Sequence, residues 1–217
     1  MKGLFATVFA CVLATQGWAD AGPVLRVDYS NPKLIPAKWT LVLYEDGSAH
    51  FHSERGQAAE EQPAEMDPVT VDREVRLSEQ FAHRMFAIVR RHRLSDAVCE
   101  SHMKVAFQGL KTISYSGPEG DGTCEFNYSK NKEIQQLGDS FVAVASTIVE
   151  GARLEMLRQH DPLGLDKEMQ YVVEAAGDGR LQQLGAIRGI LQQLEADPAV
   201  LERVRKRARI LLAREAE

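Results

Sequence analysis

The spacing of apolar residues changes near Lys130, and this change constrains the fold more than any other feature of the chain. Before it, short segments alternate apolar and polar residues, which is typical of strands with one buried face. After it, apolar residues recur every three or four positions, which is typical of helices. Strands that precede helices, rather than alternating with them, predict an α+β fold and not a parallel α/β fold.

The clearest local signal in the first half is a β-hairpin centred on the Asp-Gly pair at 46–47. The flanking runs at 39–44 and 49–53 are rich in β-branched and aromatic residues, and Asp-Gly is typical of a tight hairpin turn. A period of two over 69–77 predicts a third strand after a loop. Residues 20–38 carry three prolines and are interpreted as an extended N-terminal lead-in.

One helix is predicted within the sheet region. Ser78 is a suitable N-cap, and the helix that follows it at 79–94 has one apolar face. The remaining strands are predicted at 104–107, 111–116 and 123–129. The prediction for 39–129 is therefore an antiparallel sheet of about five or six strands with one inserted helix.

Residues 131–214 predict an all-helical part that begins with one long helix ending near His160. Asp166 is predicted to cap the next helix, and Asp197, which precedes a proline, to cap the last one. A further helix is predicted between them, over 181–194. The helical region, 131–217, is expected either to pack on the sheet region, 39–130, as one domain or to form an attached bundle.

The N-terminus, 1–19, has the three parts of a secretory signal peptide. Lys2 precedes an apolar run of about ten residues, and Gly17 and Ala19 are the small residues of a cleavage site. We predict cleavage after Ala19, with Ala21 as the second choice. The apolar run is too short for an uncleaved anchor, because a membrane-spanning helix needs roughly 20 residues.

A lipoprotein signal that ends at Cys11 is the alternative way of anchoring the chain. We disfavour it because the apolar core before the cysteine is short and because Phe9 is bulky where small residues are preferred. No later apolar stretch is long enough to span a bilayer. The sequence therefore predicts an exported soluble protein, periplasmic or secreted, with no transmembrane segment after signal cleavage.

Cleavage would leave Cys99 and Cys124 as the remaining cysteines of the chain. In an oxidising compartment two cysteines most simply form one bridge. Cys124 shares its predicted strand face with Phe126 and Tyr128, so it points toward the core. We therefore predict a structural disulfide that ties the helix exit to the last strand, rather than a zinc site that includes His102 or a catalytic thiol.

His50 and His52 form the sharpest chemical candidate, since residues i and i+2 of a strand lie on one face. Both imidazoles could bind one metal ion, but such a site needs a third ligand. The alternative is that Phe51 occupies the core face, which leaves both histidines on the solvent face. We favour this second interpretation, and we predict no cofactor, no metal and no catalytic residue.

The other motifs also lack a catalytic signature. The loop at 119–122 has no ladder of calcium ligands and is interpreted as a hairpin turn. The basic residues from 203 onward are interpreted as a solvated helix face near a C-terminus, where the helix dipole favours cations. A net charge of −5 argues against a nucleic-acid partner. The sequence contains no Gly-x-Ser-x-Gly, His-Glu-x-x-His or Walker motif.

These observations predict the function only coarsely. We expect a monomeric, non-catalytic binding or interaction module. One alternative is a metal-assisted hydrolase that uses His50 and His52. The other is a helical C-terminal surface that docks a partner protein, for which an exposed apolar stripe at 181–194 would be the sign.

Overall fold

The computed structural model of the protein describes residues 22–56, 68 and 70–215. The predicted signal peptide and most of the loop predicted after the hairpin lie outside the described residues. Within them, no helix is both long and apolar enough to cross a membrane.

Six antiparallel strands form one sheet in the described part of the chain. They are β1 (Val24–Ser30), β2 (Lys38–Tyr44), β3 (Ser48–Glu54), β4 (Thr70–Arg76), β5 (Leu110–Ser116) and β6 (Gly122–Phe126). Their order across the sheet is β4-β3-β2-β1-β5-β6. With one helix after β4 and several after β6, this arrangement confirms the predicted α+β class.

The predicted hairpin joins β2 and β3 through Asp46 and Gly47. Gly47 has a φ of +83°, and a Cβ there would lie 2.5 Å from the carbonyl oxygen of Leu77. Only glycine fits this turn without strain. Oδ1 of Asp46 accepts a hydrogen bond from the backbone N–H of Ser48 at 2.9 Å, which closes the turn and sets the register of the two strands.

The residues interpreted as an extended lead-in contain β1, which lies at the centre of the sheet. β1 pairs with β2 on one side and with β5 on the other. Leu25, Val27 and Tyr29 are buried on its core face. The strand β1 was not predicted from the sequence, because prolines flank it and proline is rare inside central strands.

The short strand predicted at 104–107 is wrong. Met103, Val105 and Phe107 alternate along the segment, but all three are exposed, so burial does not favour a strand there. The side chain of Asn127 accepts from the N–H of Gln108 at 2.7 Å and donates to the carbonyl of Ala106 at 3.2 Å. These side-chain contacts take the place of a strand ladder.

Helix α1 (Glu79–His92) begins as predicted at Ser78, whose Oγ accepts a hydrogen bond from the N–H of Phe81 at 3.2 Å. It ends at Arg93, which adopts a left-handed conformation with a φ of 41°. The buried face of α1 packs in the same apolar cluster as the core face of the sheet. This cluster is therefore the main core of the molecule.

Helix α2 (Lys132–His160) belongs to two apolar clusters. Its N-cap is Asn131, whose side chain accepts from the N–H groups of the first turn. The part of α2 from Ile134 to Ala152 packs with the sheet and α1. Leu154 and Leu157 belong instead to a second cluster, formed with the helices that follow.

The remaining helices pack around the second cluster. They are α3 (Leu165–Gly177), a 3-10 helix at Leu184–Ile187, α4 (Arg188–Ala196) and α5 (Glu202–Glu215). The single helix predicted over 181–194 is therefore divided. Gln183 has a φ of 57° directly before the 3-10 helix, which is incompatible with a continuous α-helix.

The cap predicted for α3 at Asp166 is wrong. Gly164 occupies the N-cap position, and Asp166 lies one residue inside the helix. Its carboxylate contacts the guanidinium groups of Arg203 and Arg207 at 2.6 and 2.5 Å. These charged partners on α5 hold Asp166 away from the backbone N–H groups that it was predicted to cap.

The start predicted for the last helix at Asp197 is also wrong. Oδ1 of Asp197 accepts from the N–H of Ala199 at 3.0 Å, and the N–H of Val200 donates to the carbonyl of Asp197. These bonds close a turn, so that α5 begins only at Glu202.

Candidate functional site

Cys99 and Cys124 form the predicted disulfide, with their Cα atoms 5.7 Å apart. Cys99 follows α1 and Cys124 lies on the core face of β6, so the bridge joins the helix exit to the last strand as expected. Because both sulfurs are in the bond, neither is available to a zinc site with His102 or as a nucleophile.

His50 and His52 lie on the face of β3 opposite Phe51, which is fully buried. Each imidazole contacts carboxylates of β4. Nδ1 of His50 lies 2.9 Å from Glu74, Nε2 of His50 lies 3.4 Å from Asp72, and Nδ1 of His52 lies 2.8 Å from Asp72. The histidines therefore form a cross-strand ladder with the neighbouring acids.

This ladder has the properties of a solvated sheet face. His50 and His52 are about 40% exposed, and exposed pairs of this kind typically contribute less than about 1 kcal/mol to stability. Among the described residues, no group of three or more His, Cys, Asp or Glu side chains is arranged to hold a metal ion. The pair gives little support to the hydrolase hypothesis.

The basic residues of α5 are largely paired with acids. Arg203 and Arg207 contact Asp166, while Arg205 and Arg209 contact Glu202. These ion pairs are consistent with a helix face that is stabilised within the protein itself. They leave fewer cations available to an anionic partner.

The apolar residues of the segment 181–194 are buried in the second cluster. They are Leu181, Leu184, Ile187, Ile190, Leu191 and Leu194. The described part of this segment therefore shows no exposed apolar stripe, which was the sign expected of a docking surface.

A cavity of about 210 Å³ lies between the loop after β1, the strands β1 and β2, and the helices α2 and α3. Most of its lining is aliphatic or aromatic. The lining residues are Tyr29, Leu34, Ile35, Pro36, Trp39, Val142, Ala145, Ser146, Val149, Glu150 and Tyr171. We call this space the Glu150 cavity.

Helix α2 supplies nearly half of this lining through residues spaced three and four apart, from Val142 to Glu150. Residues at this spacing lie on one side of an α-helix. The neighbouring side of α2, which includes Val144 and Ile148, packs against the sheet. The core packing of α2 thus fixes the direction in which the side chain of Glu150 points.

Glu150 is the ionisable group of the cavity with the most unusual surroundings. Its side chain is only 14% exposed, and its Oε2 has no hydrogen-bond partner among the described residues. The carboxyl of Glu168 on α3 lies close enough to Glu150 to raise its pKa. Arg153 lies beside both acids, with nitrogen atoms 3.9 Å from Glu150 and 3.6 Å from Glu168.

These surroundings hold a proton on Glu150 at neutral pH. Burial, and after it the hydrogen bond and negative charge of Glu168, raises the pKa of Glu150 to about 8. Burial also raises the pKa of Tyr171 on the cavity wall, and the charge of Glu150 adds to this effect. The cavity therefore offers a carboxyl group that can donate a hydrogen bond or, once ionised, attract a cation.

Sequence reasoning missed Glu150 for a physical reason. It lies in a long helix that is rich in charged residues, where a glutamate is normally solvated. Burial comes from α3 and from the loop at 34–36, which are distant in sequence. A weak signal exists in the spacing, because Val142, Val149 and Glu150 lie on one side of the predicted helix.

A second buried ionisable group is Lys111, which is 2% exposed on the core face of β5. Its Nζ donates to the carbonyl of Asn127 at 3.2 Å and lies 5.5 Å from the ring centre of Phe126. Burial lowers the pKa of Lys111. The aliphatic part of Lys111 lies beside Gly138 of α2, so this side chain packs β5 against α2 and the end of β6.

Comparison with known proteins does not assign a family. No protein-family model matches the chain, and no curated protein is significantly similar to it.

Proposed function

We propose that the protein is an exported, non-catalytic binding module that holds a small molecule in the Glu150 cavity. The observation that carries this proposal is the carboxyl of Glu150, which lies in a mainly apolar cavity with one oxygen lacking a hydrogen-bond partner among the described residues. Burying such a group costs free energy. Ionisable groups that are kept in clefts at this cost are typical of functional sites.

The composition of the cavity supports binding of a small, partly apolar molecule. Ligand sites are typically lined by apolar and aromatic side chains with a few polar groups that orient the ligand. Here the aromatic groups are Tyr29, Trp39 and Tyr171, and the polar groups are Glu150 and Ser146. The volume of about 210 Å³ is below the roughly 300–1,000 Å³ of sites for drug-sized ligands.

The surroundings of Ser146 favour binding over catalysis. Its hydroxyl donates to the carbonyl of Val142, one helical turn earlier, at 3.0 Å. A catalytic serine donates instead to a general base, which activates its oxygen. The contact of Ser146 leaves its oxygen as a hydrogen-bond acceptor for a ligand.

Two observations support export. The N-terminal residues have the pattern of a signal peptide, and the Cys99–Cys124 disulfide fits a protein that matures in an oxidising compartment. The partner of such a module would be a small molecule from outside the cytoplasm.

The proposal can be tested by amide NMR of the mature protein, residues 20–217, with a library of small fragments. We expect fragments to shift the amide signals of Ser146, Val149 and Glu150. The variant Ser146→Leu should fill the cavity and weaken fragment binding by about tenfold or more, since a buried leucine removes the space that a ligand needs. Gln170→Leu, on the exposed face of α3, is the matched control and should bind as the parent does.

The proposal is contradicted if no fragment shifts these signals at millimolar concentration, or if folded Ser146→Leu binds the same fragments equally well. The dispersion of the amide spectrum shows that each variant is folded.

A further inference from the structure

We propose that the ligand of the Glu150 cavity is a small organic cation, an ammonium compound with an apolar body. This inference rests on the proposed function and names its class of ligand. It is carried by the charges and surfaces that surround the cavity.

The charges around the cavity favour a positive ligand. Among the described residues that line it, Glu150 is acidic and none is basic. Behind Glu150, the carboxyl of Glu168 contacts it, and Arg153 lies beside both acids. On the α3 side, the guanidinium of Arg180 lies 5.1 Å from the ring centre of Tyr171. An anionic ligand would be repelled by the carboxyl of Glu150 once that group is ionised, whereas a cation would be attracted to it.

The walls of the cavity suit the rest of such a ligand. Tyr29 and Trp39 stack with their ring centres 5.1 Å apart, and Tyr171 stands on the opposite, helical side. Ammonium groups are attracted to aromatic rings within about 6 Å. Leu34 and Val149 provide aliphatic surface for an apolar body. Leu34 is 48% exposed, which places it at the entrance.

Binding of the cation would release a proton and form no covalent bond. At pH 7 the protonated form of Glu150 is favoured, because burial raises the pKa of this carboxyl to about 8. The incoming ammonium group keeps its own charge, Glu150 ionises, and its proton passes to solvent. As the pH is raised toward 8, the affinity for the cation should therefore increase by up to about tenfold per pH unit. Above pH 8 the affinity should level off.

The test is calorimetric titration of the mature protein with choline and with 3,3-dimethyl-1-butanol, which has the same shape but no charge. Titrations at pH 7 in phosphate and in HEPES buffer report the number of protons released, because the two buffers differ in ionisation enthalpy. We expect choline to bind at least about tenfold more tightly than the alcohol, as desolvated contacts of a cation with rings and a carboxylate allow. Release of about one proton should accompany choline binding.

Two variants locate the effect. Glu150→Gln keeps the shape of the side chain but cannot ionise, so it should weaken choline binding by about tenfold or more and abolish proton release. It should leave binding of the alcohol unchanged. Glu174→Gln removes an exposed charge of α3 outside the cavity, and it should change neither ligand's affinity. If Glu150→Gln does not fold, Glu168→Gln replaces it and should reduce proton release.

The possible failures are distinguishable. If the alcohol binds as tightly as choline and no proton is released, the ligand is not a cation, while the cavity remains a binding site. If neither molecule binds and the fragment screen also finds no ligand, both this inference and the proposed function are wrong.

Discussion

Glu150 of α2 and Glu168 of α3 both lie within ion-pair distance of Arg153, whose nitrogen atoms are 3.9 Å from the first carboxyl and 3.6 Å from the second. Burial and the negative charge of Glu168 raise the pKa of Glu150. This raised pKa distinguishes the Glu150 cavity from the solvated ion pairs elsewhere on the molecule. It also connects the proposed binding site to the stability of the fold.

The first prediction concerns the pH dependence of stability. In the folded protein Glu150 keeps its proton up to about pH 8, whereas an unfolded glutamate ionises near pH ~4.3. The stability that protonated Glu150 contributes to the fold is therefore fully present below pH ~4.3 and is lost as the pH rises through about 8. Glu150→Gln cannot ionise, so this loss should disappear.

The measurement is urea denaturation at pH 5, 7 and 9. Glu150→Gln should be more stable than the parent at pH 9 by at least about 1.4 kcal/mol, the equivalent of one pKa unit. The difference should shrink toward pH 5. Glu174→Gln, the exposed control, should not show this trend. Parallel stability curves for the parent and Glu150→Gln would contradict the prediction.

The second prediction concerns Thr147, a fully buried residue that ties α2 to the segment before α4. Its Oγ1 donates to the carbonyl of Gln182 at 2.7 Å and accepts from the N–H of the same residue at 3.0 Å. Thr147→Val keeps the shape but leaves both backbone groups without this partner. We expect a loss of about 1–3 kcal/mol in the free energy of unfolding.

The matched control is Ser146→Ala. Among the described residues, Ser146 donates to the carbonyl of Val142 within its own helix, so its replacement should cost less than about 0.5 kcal/mol. Equal losses for Thr147→Val and Ser146→Ala in chemical denaturation would mean that the contact with Gln182 does not stabilise the fold.

The third prediction concerns the disulfide. Cys99 and Cys124 are 25 residues apart in sequence, and a loop of this size should contribute roughly 3 kcal/mol by restricting the unfolded chain. The double variant Cys99→Ala/Cys124→Ala should lose about this amount in urea denaturation. A free-thiol assay on mature protein that is denatured but not reduced should find none, and two thiols would contradict the bridge.

The fourth prediction concerns His50 and His52. Because both imidazoles are half-exposed and contact Asp72 or Glu74, the double variant His50→Ala/His52→Ala should change stability by less than about 1 kcal/mol. Elemental analysis should find no stoichiometric metal in the parent. A metal that is present in the parent and lost from the double variant would support the hydrolase hypothesis instead.

The elements predicted correctly from the sequence are those determined by their own residues. Only glycine fits the hairpin turn at position 47, Ser78 caps the helix that it precedes, and the disulfide joins the two cysteines that follow the predicted signal peptide. The signals for the turn and for the helix cap lie within a few positions of the structures that they produce. Such local signals need no knowledge of the rest of the fold.

The wrong predictions depended on distant parts of the chain. The segment 104–107 alternates like a strand, but nothing in its sequence shows that its side chains remain exposed. Asp166 was predicted to be an N-cap, but its carboxylate contacts Arg203 and Arg207 of α5 instead. In both cases the tertiary environment overrides a local preference.

The Glu150 cavity could not be predicted for the same reason. The helix that carries Glu150 was predicted. The burial of Glu150 depends on Glu168 and on the loop near Pro36, which reach it only in the folded protein. The sequence identifies the glutamate, but it does not show which distant residues surround its carboxyl group in the folded protein.

The most direct test of the account is a carbon-13 NMR titration of the Glu150 carboxyl group, with and without choline. The account predicts that the free protein titrates at about pH 8, and that saturating choline moves this titration to lower pH because the cation stabilises the ionised form. Titration near pH ~4.3, as in an unfolded chain, with no response to choline, would contradict it.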